Sequence, residues 1–288
     1  MDNLYTIENG HLRVAISDIG AEMQEIQLKE SGEQLLWNGD PALWKGRAPW
    51  LFPIIGRLKD DYYTWRGRRY DMAMHGFARK AAFAAERLGD DALRFVLSDS
   101  PETLAAYPWR FALEIDYRLN GRRLEIRSAV RNRDEKTMFF SLGAHPGFLC
   151  QAGDQLCFEG MDHLVCRRLK AGDHLLQLQG EVLPLAEHAL SLKAGLFEDD
   201  AMIIERPEAM EIALVRVQGP SVRFRYDAVP WLGVWSKPAG DGLRYVCLEP
   251  WLGVDDRVDA DHNIEHKEAI QTLAPGDEAV FSLSIEPI

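Results

Sequence analysis

Long apolar runs are missing from this chain: no stretch approaches the roughly 20 residues of a membrane-spanning helix, so none is expected. Cysteine is sparse, with only Cys150, Cys157, Cys166 and Cys247. The first three stand too far apart for a C-x-x-C metal or redox site. Cys247 sits in an apolar run and reads as a small buried hydrophobe. Positive charge is outweighed, with 33 Lys and Arg against 45 Asp and Glu and a formal charge of -12. That balance argues against nucleic acid and anionic membranes as partners, because both are polyanions, but it leaves room for a local basic pocket. The N-terminus has neither a basic segment nor an apolar one behind it, so no signal peptide is expected and a reducing cytoplasm is the expected location. A phosphate-binding glycine loop, a dinucleotide fingerprint and a serine elbow are missing too. No internal repeat, Pro-rich linker or long amphipathic helix is visible, which counts against solenoids and propellers.

What is present is strand pattern over a large apolar content, 47% of the 288 residues. Phe111, Leu113, Ile115, Tyr117 and Leu119 alternate with polar residues. Asn120-Gly121 then offers the positive φ of a type I′ turn, and the alternation resumes at Leu124 and Ile126. Trp65-Arg66-Gly67-Arg68-Arg69-Tyr70 reads as a second hairpin. Leu12/Val14/Ile16, Leu93/Phe95/Leu97, Val222/Phe224/Tyr226 and Phe281/Leu283/Ile285 mark further strands. Helix signals are few: Ser100-Pro101-Glu102 supplies a cap and an N-terminal proline, and residues 189–196 could form a turn or two. The pattern predicts an all-β fold, a large antiparallel β-sandwich with a few short helices, as one domain over residues 1–288.

Three proton-transfer groups stand in stretches that otherwise look like buried strand or tight turn: His75 in Met-His-Gly-Phe, His145 in Gly-Ala-His-Pro-Gly, and Glu249 in Cys-Leu-Glu-Pro-Trp. Strand phase from Tyr70 would put His75 on the face of Asp71 and Ala73, opposite Tyr70, Met72 and Met74. Residues 243–249 are apolar on both faces, as in a covered central strand that Glu249 would close before Pro250. Each group has an ordinary explanation, a rim carboxylate meeting water or an arginine, or a loop histidine bonded to a carbonyl. Together they suffice for paired general acid and general base chemistry on a neutral substrate. Arg57, behind the apolar run Phe-Pro-Ile-Ile-Gly, needs an acceptor such as a carboxylate or a polyol oxygen.

Trp37, Trp44, Trp50, Trp231, Trp235 and Trp251 fall near these groups in sequence. Most are expected to fill the core. Trp235 and Trp251, which flank the Glu249 segment, are the candidates for packing on the CH face of a sugar. His262-Asn-Ile-Glu-His266 matches a zinc-peptidase pattern, but its acidic surroundings from Asp255 onward lack apolar periodicity and read as a solvated loop.

Arg57 in Ile-Gly-Arg-Leu, His75-Gly76-Phe77-Ala78-Arg79, Gly143-Ala144-His145-Pro146-Gly147-Phe148 and Cys247-Leu248-Glu249-Pro250-Trp251 resemble, in order and across nearly the whole chain, the aldose 1-epimerases (galactose mutarotase-like proteins), above all their shorter LacX-type branch. The resemblance implies a β-supersandwich with an open sugar cleft. It also implies interconversion of the α and β anomers of an aldohexose or related sugar, with no metal or organic cofactor. It assigns Glu249 as general base, His145 as general acid, and His75 and Arg57 as substrate-binding groups. The family's sugar-binding aspartate, normally followed by a histidine, falls on Asp200 or its neighbour Asp199, with Ala201 where the histidine would be. Glu249 and His145 are then expected to form an ion pair at neutral pH. The alternatives are a non-catalytic sugar-binding or sensing protein, a glycosidase or lyase, and a mutarotase for hexose 6-phosphates. The last would draw on basic groups such as Arg79, Arg47 and Lys237 at the pocket rim. The expected partner is a small sugar, and the chain is expected to be a monomer or homodimer.

Overall fold

The computed structural model describes residues 2–205, 211–237 and 242–288, and its regular structure is almost entirely antiparallel β. Among the described residues, two large sheets dominate. The nine-stranded sheet runs from Ala189–Ser191 at one edge to Ala84–Gly89 at the other, with Glu278–Pro287, Arg123–Asn132 and Phe111–Asn120 near its centre. In the eight-stranded sheet, Tyr245–Leu252 is flanked on one side by Trp231–Trp235 and on the other by Leu142–Ala144 and Gly147–Leu149 in succession.

The alternation that marks the strands also builds the core. Phe111, Leu113, Ile115, Tyr117 and Leu119 join Leu232, Val234, Val246 and Leu248 of the other sheet in one apolar cluster. Each sheet thus gives one face to a shared interior, which is the sandwich arrangement. The Trp65/Arg68 hairpin turns on Arg66 and Gly67, at φ 50° and 74°, as a type I′ turn requires. The long hairpin turns one residue later than its Asn-Gly signal suggests. Asn120 still pairs with Arg123, and only Gly121 of the intervening pair takes a positive φ, 57°. The Pro101–Ala106 helix forms as expected, with Ser100 and Thr103 in a reciprocal capping box.

Two local expectations fail. Residues 189–196 are not a helical turn: Ala189–Ser191 is an edge strand, and a 3₁₀ turn begins only at Ala194. The strand carrying Tyr70 stops at Asp71, and His75 lies in a turn at φ 64°. Strand phase therefore does not decide where His75 points.

The second face of the eight-stranded sheet is the one that matters for chemistry. Along Tyr245–Leu252, the residues Val246, Leu248 and Leu252 face the core, while Tyr245, Cys247, Glu249 and Trp251 lie on the opposite side. There Trp251 joins Trp231, Ile203 and Leu51 in one small apolar cluster, and Tyr245 and Cys247 join Trp37 in another. Glu249 lies between the two.

Candidate active site

Glu249 does not close its strand as expected; the strand continues through Pro250 to Leu252. Its partners across the sheet explain how His145 meets it. Gly143 pairs with Trp251, and Gly147 pairs with Cys247. Continuing that register between them sets His145 directly opposite Glu249. Residues opposite one another in an antiparallel pair project to the same face with Cβ atoms about 5 Å apart. His145 Nε2 accordingly lies 3.1 Å from Glu249 Oε2. Pro146 and Pro250 fall where the pairing lapses, and neither has an N–H to give to a ladder. A single bond, from Leu248 N to the Pro146 carbonyl (3.1 Å), bridges this stretch.

Small residues keep space around the pair. Gly233 faces Glu249 from the other neighbouring strand, and a Cβ there would stand 2.7 Å from the Trp251 ring and 3.2 Å from Glu249 Cβ. Gly143 would likewise meet Trp251 Cδ1 at 2.5 Å. His145 sits in an aromatic frame: Trp44 stacks on it (ring centroids 4.9 Å), and Trp235 and His75 meet it edge-on (5.8 and 5.9 Å).

Glu249 is 1% exposed and His145 7%, so desolvation governs both. Burial pushes the Glu249 carboxyl well above its usual range, helped by the nearby charges of Asp255 and Asp200. Burial lowers His145 to about 3, and the Arg79 guanidinium adds to this. Burial thus works against the expected ion pair: taking both groups out of water disfavours the charged form of each, while their mutual attraction favours it. Their contact, through His145 Nε2, is close without being an aligned hydrogen bond; among the described residues Glu249 Oε2 has no hydrogen-bond partner, and neither does the other ring nitrogen, His145 Nδ1. Cys247 Sγ lies within 4.8 Å of ligand atoms on both. Burial pushes that thiol well up, so a metal would have to displace its proton before binding there.

His75 is held by its own turn. Its N–H donates to the Gly56 carbonyl (2.8 Å), and the Gly56 N–H donates to its Nδ1 (3.0 Å). An accepting Nδ1 fixes the neutral tautomer with the proton on Nε2. Burial first, then His145 and Arg79, keep this imidazole well below the ordinary histidine range, so it stays a neutral donor. Arg57 follows Gly56 and is pinned through its backbone, whose N–H donates to Asp255 Oδ1 (2.7 Å). Gly56, at φ 64°, lies so close to the Asp255 carboxyl that a Cβ would overlap it at 1.9 Å. The Arg57 side chain stands 3.8 Å from Asp61, and among the described residues its buried Nε has no partner.

All seven residues singled out in the sequence line one cavity of about 890 Å³: Glu249, His145, His75, Arg57, Asp200, Trp235 and Trp251. Asp199 is exposed and does not line it. Of the proposed basic rim, Arg79 lines the cavity. The Arg47 guanidinium instead donates to the Gln24 carbonyl, and Lys237 is exposed outside the lining.

Asp255, His174 and Trp44 are lining residues that the sequence did not mark as part of the site. Asp255 stands in an acidic stretch that reads as a solvated loop, yet it and Asp256 are each only 4% exposed. Burial lifts Asp255 to about 6. His174 bonds Asp200 Oδ2 through Nδ1 (2.8 Å), supplying from a separate loop an imidazole beside that aspartate. Trp44, read as core, is half-buried and walls the cavity beside His145. The only available signals were its place among the tryptophans, and none marked His174. His262 and His266 turn to different carboxylates, Asp60 (3.4 Å) and Asp261 (2.7 Å), so the zinc-like pattern does not form one site.

Comparison with known proteins follows the same lines. A family model described as aldose 1-epimerase matches residues 3–283. The chain is 30% identical over 295 residues to protein LacX of Lactococcus lactis subsp. lactis, covering 97% of each chain. A galactose mutarotase related enzyme from Lactobacillus acidophilus superposes with TM-score 0.93 at 34% identity, covering 100% of this chain and 97% of its own. A galactose mutarotase-like protein from Lactobacillus casei gives TM-score 0.92 at 27% identity, covering 99% and 100%.

Proposed function

This chain belongs to the aldose 1-epimerase family, and from that premise we propose that it interconverts the α and β anomers of an aldose by acid–base opening of the pyranose ring. The observation that carries the reading is the Glu249–His145 pair, 3.1 Å apart on a cavity floor with unpartnered polar atoms on both members. Buried polar atoms are normally satisfied, and exceptions gathered in one cleft point to a ligand that satisfies them.

The chemistry follows from one shared proton. Sugar hydroxyls that hydrogen-bond the Glu249 carboxylate favour its ionised form and move the proton to His145. Glu249 then takes the proton of the C1 hydroxyl while His145 donates to the ring oxygen. The C1–ring-oxygen bond breaks with its electron pair going to the oxygen, and C1 becomes an aldehyde. The pair is now a carboxylic acid beside a neutral imidazole, the form that burial favours. The environment that disfavours the charged pair thus matches the open-chain intermediate. Rotation about C1–C2 presents the other carbonyl face; as the ring closes, Glu249 returns its proton to the carbonyl oxygen and His145 takes its own back from the hydroxyl that attacks C1. His75, with its proton fixed on Nε2, and Arg57 and Asp200 hold the sugar oxygens and bear developing charge. Trp235 and Trp251 offer apolar faces to the ring.

The test is anomer interconversion of glucose, galactose and their 6-phosphates, followed by NMR exchange. Glu249→Gln and His145→Asn should each slow exchange by about 10²–10⁴-fold. Wild-type exchange no faster than that of the variants on every aldose would overturn the reading in favour of a sugar-binding protein.

A further inference from the structure

We propose that Glu249, His145 and Cys247 together form a three-ligand site for a thiophilic divalent cation of the zinc class, and that a cation seated there stops anomer exchange. Binding stands on the geometry alone; the loss of exchange rests on the mutarotase reading.

The strand brings the ligands together. Cys247 and Glu249 are two residues apart on Tyr245–Leu252 and project to the same side of the sheet. His145 stands opposite Glu249 in the register set by Gly143 and Gly147. One ligand atom from each of the three lies within 4.8 Å of the other two, and all three residues are buried. His145 Nε2 and Glu249 Oε2 are already 3.1 Å apart. Zn–S bonds of about 2.3 Å and Zn–N or Zn–O bonds of about 2.0–2.2 Å put the ligand atoms of a tetrahedral site roughly 3.3–3.6 Å from one another. The widest separation allowed here thus closes by roughly 1–1.5 Å, which a small turn of the Cys247 or Glu249 side chain supplies. Glu249 Oε2, buried and without a hydrogen-bond partner among the described residues, has lone pairs to give.

Glu249 and His145 line the cavity, whereas Cys247 has no exposed surface and does not line it. A cation arriving through the cavity meets carboxylate and imidazole first and the thiolate last, and its fourth position stays open to the cleft. Three protein ligands and one open position is what zinc adopts where it remains accessible. Thiolate and imidazole favour zinc, cobalt and cadmium over magnesium and calcium, which prefer oxygen alone. Charge balances as well. The proton shared by Glu249 and His145 and the proton of the thiol leave to water as one divalent cation enters, so the buried site gains no net charge. The support of a permanently held zinc histidine is missing: with Nε2 on the metal, His145 Nδ1 has no acceptor among the described residues. The site therefore suits a reversible inhibitor rather than a resident cofactor. A cation there occupies the lone pairs that the C1 hydroxyl and the ring oxygen require, so cation and sugar exclude one another.

The first test needs no substrate. Co²⁺ titrated into the protein should produce the near-ultraviolet thiolate-to-cobalt band and the intense visible bands of tetrahedral cobalt. The thiolate band should vanish in Cys247→Ala. Glu249→Gln should need more Co²⁺ by at least the roughly tenfold that losing even an outer-shell partner costs. No thiolate band in wild type, or an unchanged one in Cys247→Ala, overturns the site. Cys247→Ser, closer in size to the native side chain, serves the same comparison if the alanine variant does not fold. The second test is kinetic. Zn²⁺ should slow exchange on glucose or glucose 6-phosphate competitively with the sugar and reversibly by EDTA, and Mg²⁺ should not. Cys247→Ala should keep its basal exchange and need about tenfold or more Zn²⁺ for half inhibition. Exchange untouched by Zn²⁺ despite the cobalt bands, or equal inhibition of wild type and Cys247→Ala, overturns the inhibitory role. Absence of exchange on every aldose would sink the mutarotase reading instead, and the cobalt spectrum would still decide the cation site.

Discussion

Glu249 and Asp255 both carry a carboxyl where water is excluded, so each holds activity or architecture against stability. A buried carboxylate that must ionise destabilises the fold, and an amide of the same shape does not. Glu249→Gln should therefore lose anomer exchange while melting no lower than wild type, a separation that calorimetry beside the NMR assay can read. Asp255 allows a pH test. Its folded value is raised to about 6 from 3.8, so the folded state holds the proton more tightly than the unfolded chain. The stability this gives is complete below about 4 and is lost as pH rises through about 6. Asp255→Asn cannot ionise and still accepts from the Arg57 N–H. Its stability relative to wild type should thus improve from pH 4 to pH 7.5, by on the order of 2–3 kcal/mol, in paired urea titrations. A flat difference would mean that Asp255 is not held protonated. At this scale the sequence was legible where a polar residue interrupts an apolar motif, as with His145 and Glu249. It was not legible for Asp255, because four of the seven residues from Asp255 to Asp261 are aspartates and none announces which one packs against Gly56, some 200 positions earlier.

Strands rather than single residues decide whether acid and base meet. Their juxtaposition comes from the register between Tyr245–Leu252 and the two short strands on either side of His145, with glycines leaving room for Trp251. Gly233→Ala should force the Trp251 ring to move, costing about 1–3 kcal/mol as overpacking does. Because Glu249 Cβ is also crowded, exchange should fall with it. Thermal melts paired with kinetics would check this, and an alanine variant with wild-type stability and rate would show that the space is not needed. Alternation made the strands readable, but the turns were harder. The pattern Tyr70-Asp71-Met72-Ala73-Met74 continues a strand on paper. The chain leaves it because the His75 N–H and Nδ1 both bind Gly56, a tertiary contact that local sequence does not contain.

Across the whole molecule the two sheets supply rigidity, and the cleft wall is fastened by a buried clamp. Lys267 Nζ donates to Asp256 Oδ1 (2.8 Å) and to the Val254 carbonyl (2.6 Å), and Asp256 Oδ2 accepts from the Lys59 N–H (3.0 Å). This ties the 254–267 segment to the loop that carries Arg57. Removing one partner of a buried pair strands the other charge, so Lys267→Met should destabilise by about 3–5 kcal/mol in urea denaturation. Double replacement of Lys267 and Asp256 by apolar residues should recover part of that loss. The sandwich was legible because two-residue periodicity recurs from Leu12 to Ile285. The clamp was not, because its charges read as a solvated stretch until folding encloses them.

The prolines beside Glu249 and His145 lead to a last consequence. Where the ladder lapses between two otherwise bonded stretches, the proton-handling couple is indexed by its own sheet, while Asp200, His174, Arg57 and Arg79 come from loops and short turns around it. Reaction and recognition are thus mechanically decoupled. Grafting loops between relatives of this architecture should redirect which sugar is accepted while keeping the spacing of acid and base, whereas a one-residue slip of the central strand would turn its carboxylate into the hydrocarbon interior and abolish turnover for every sugar alike.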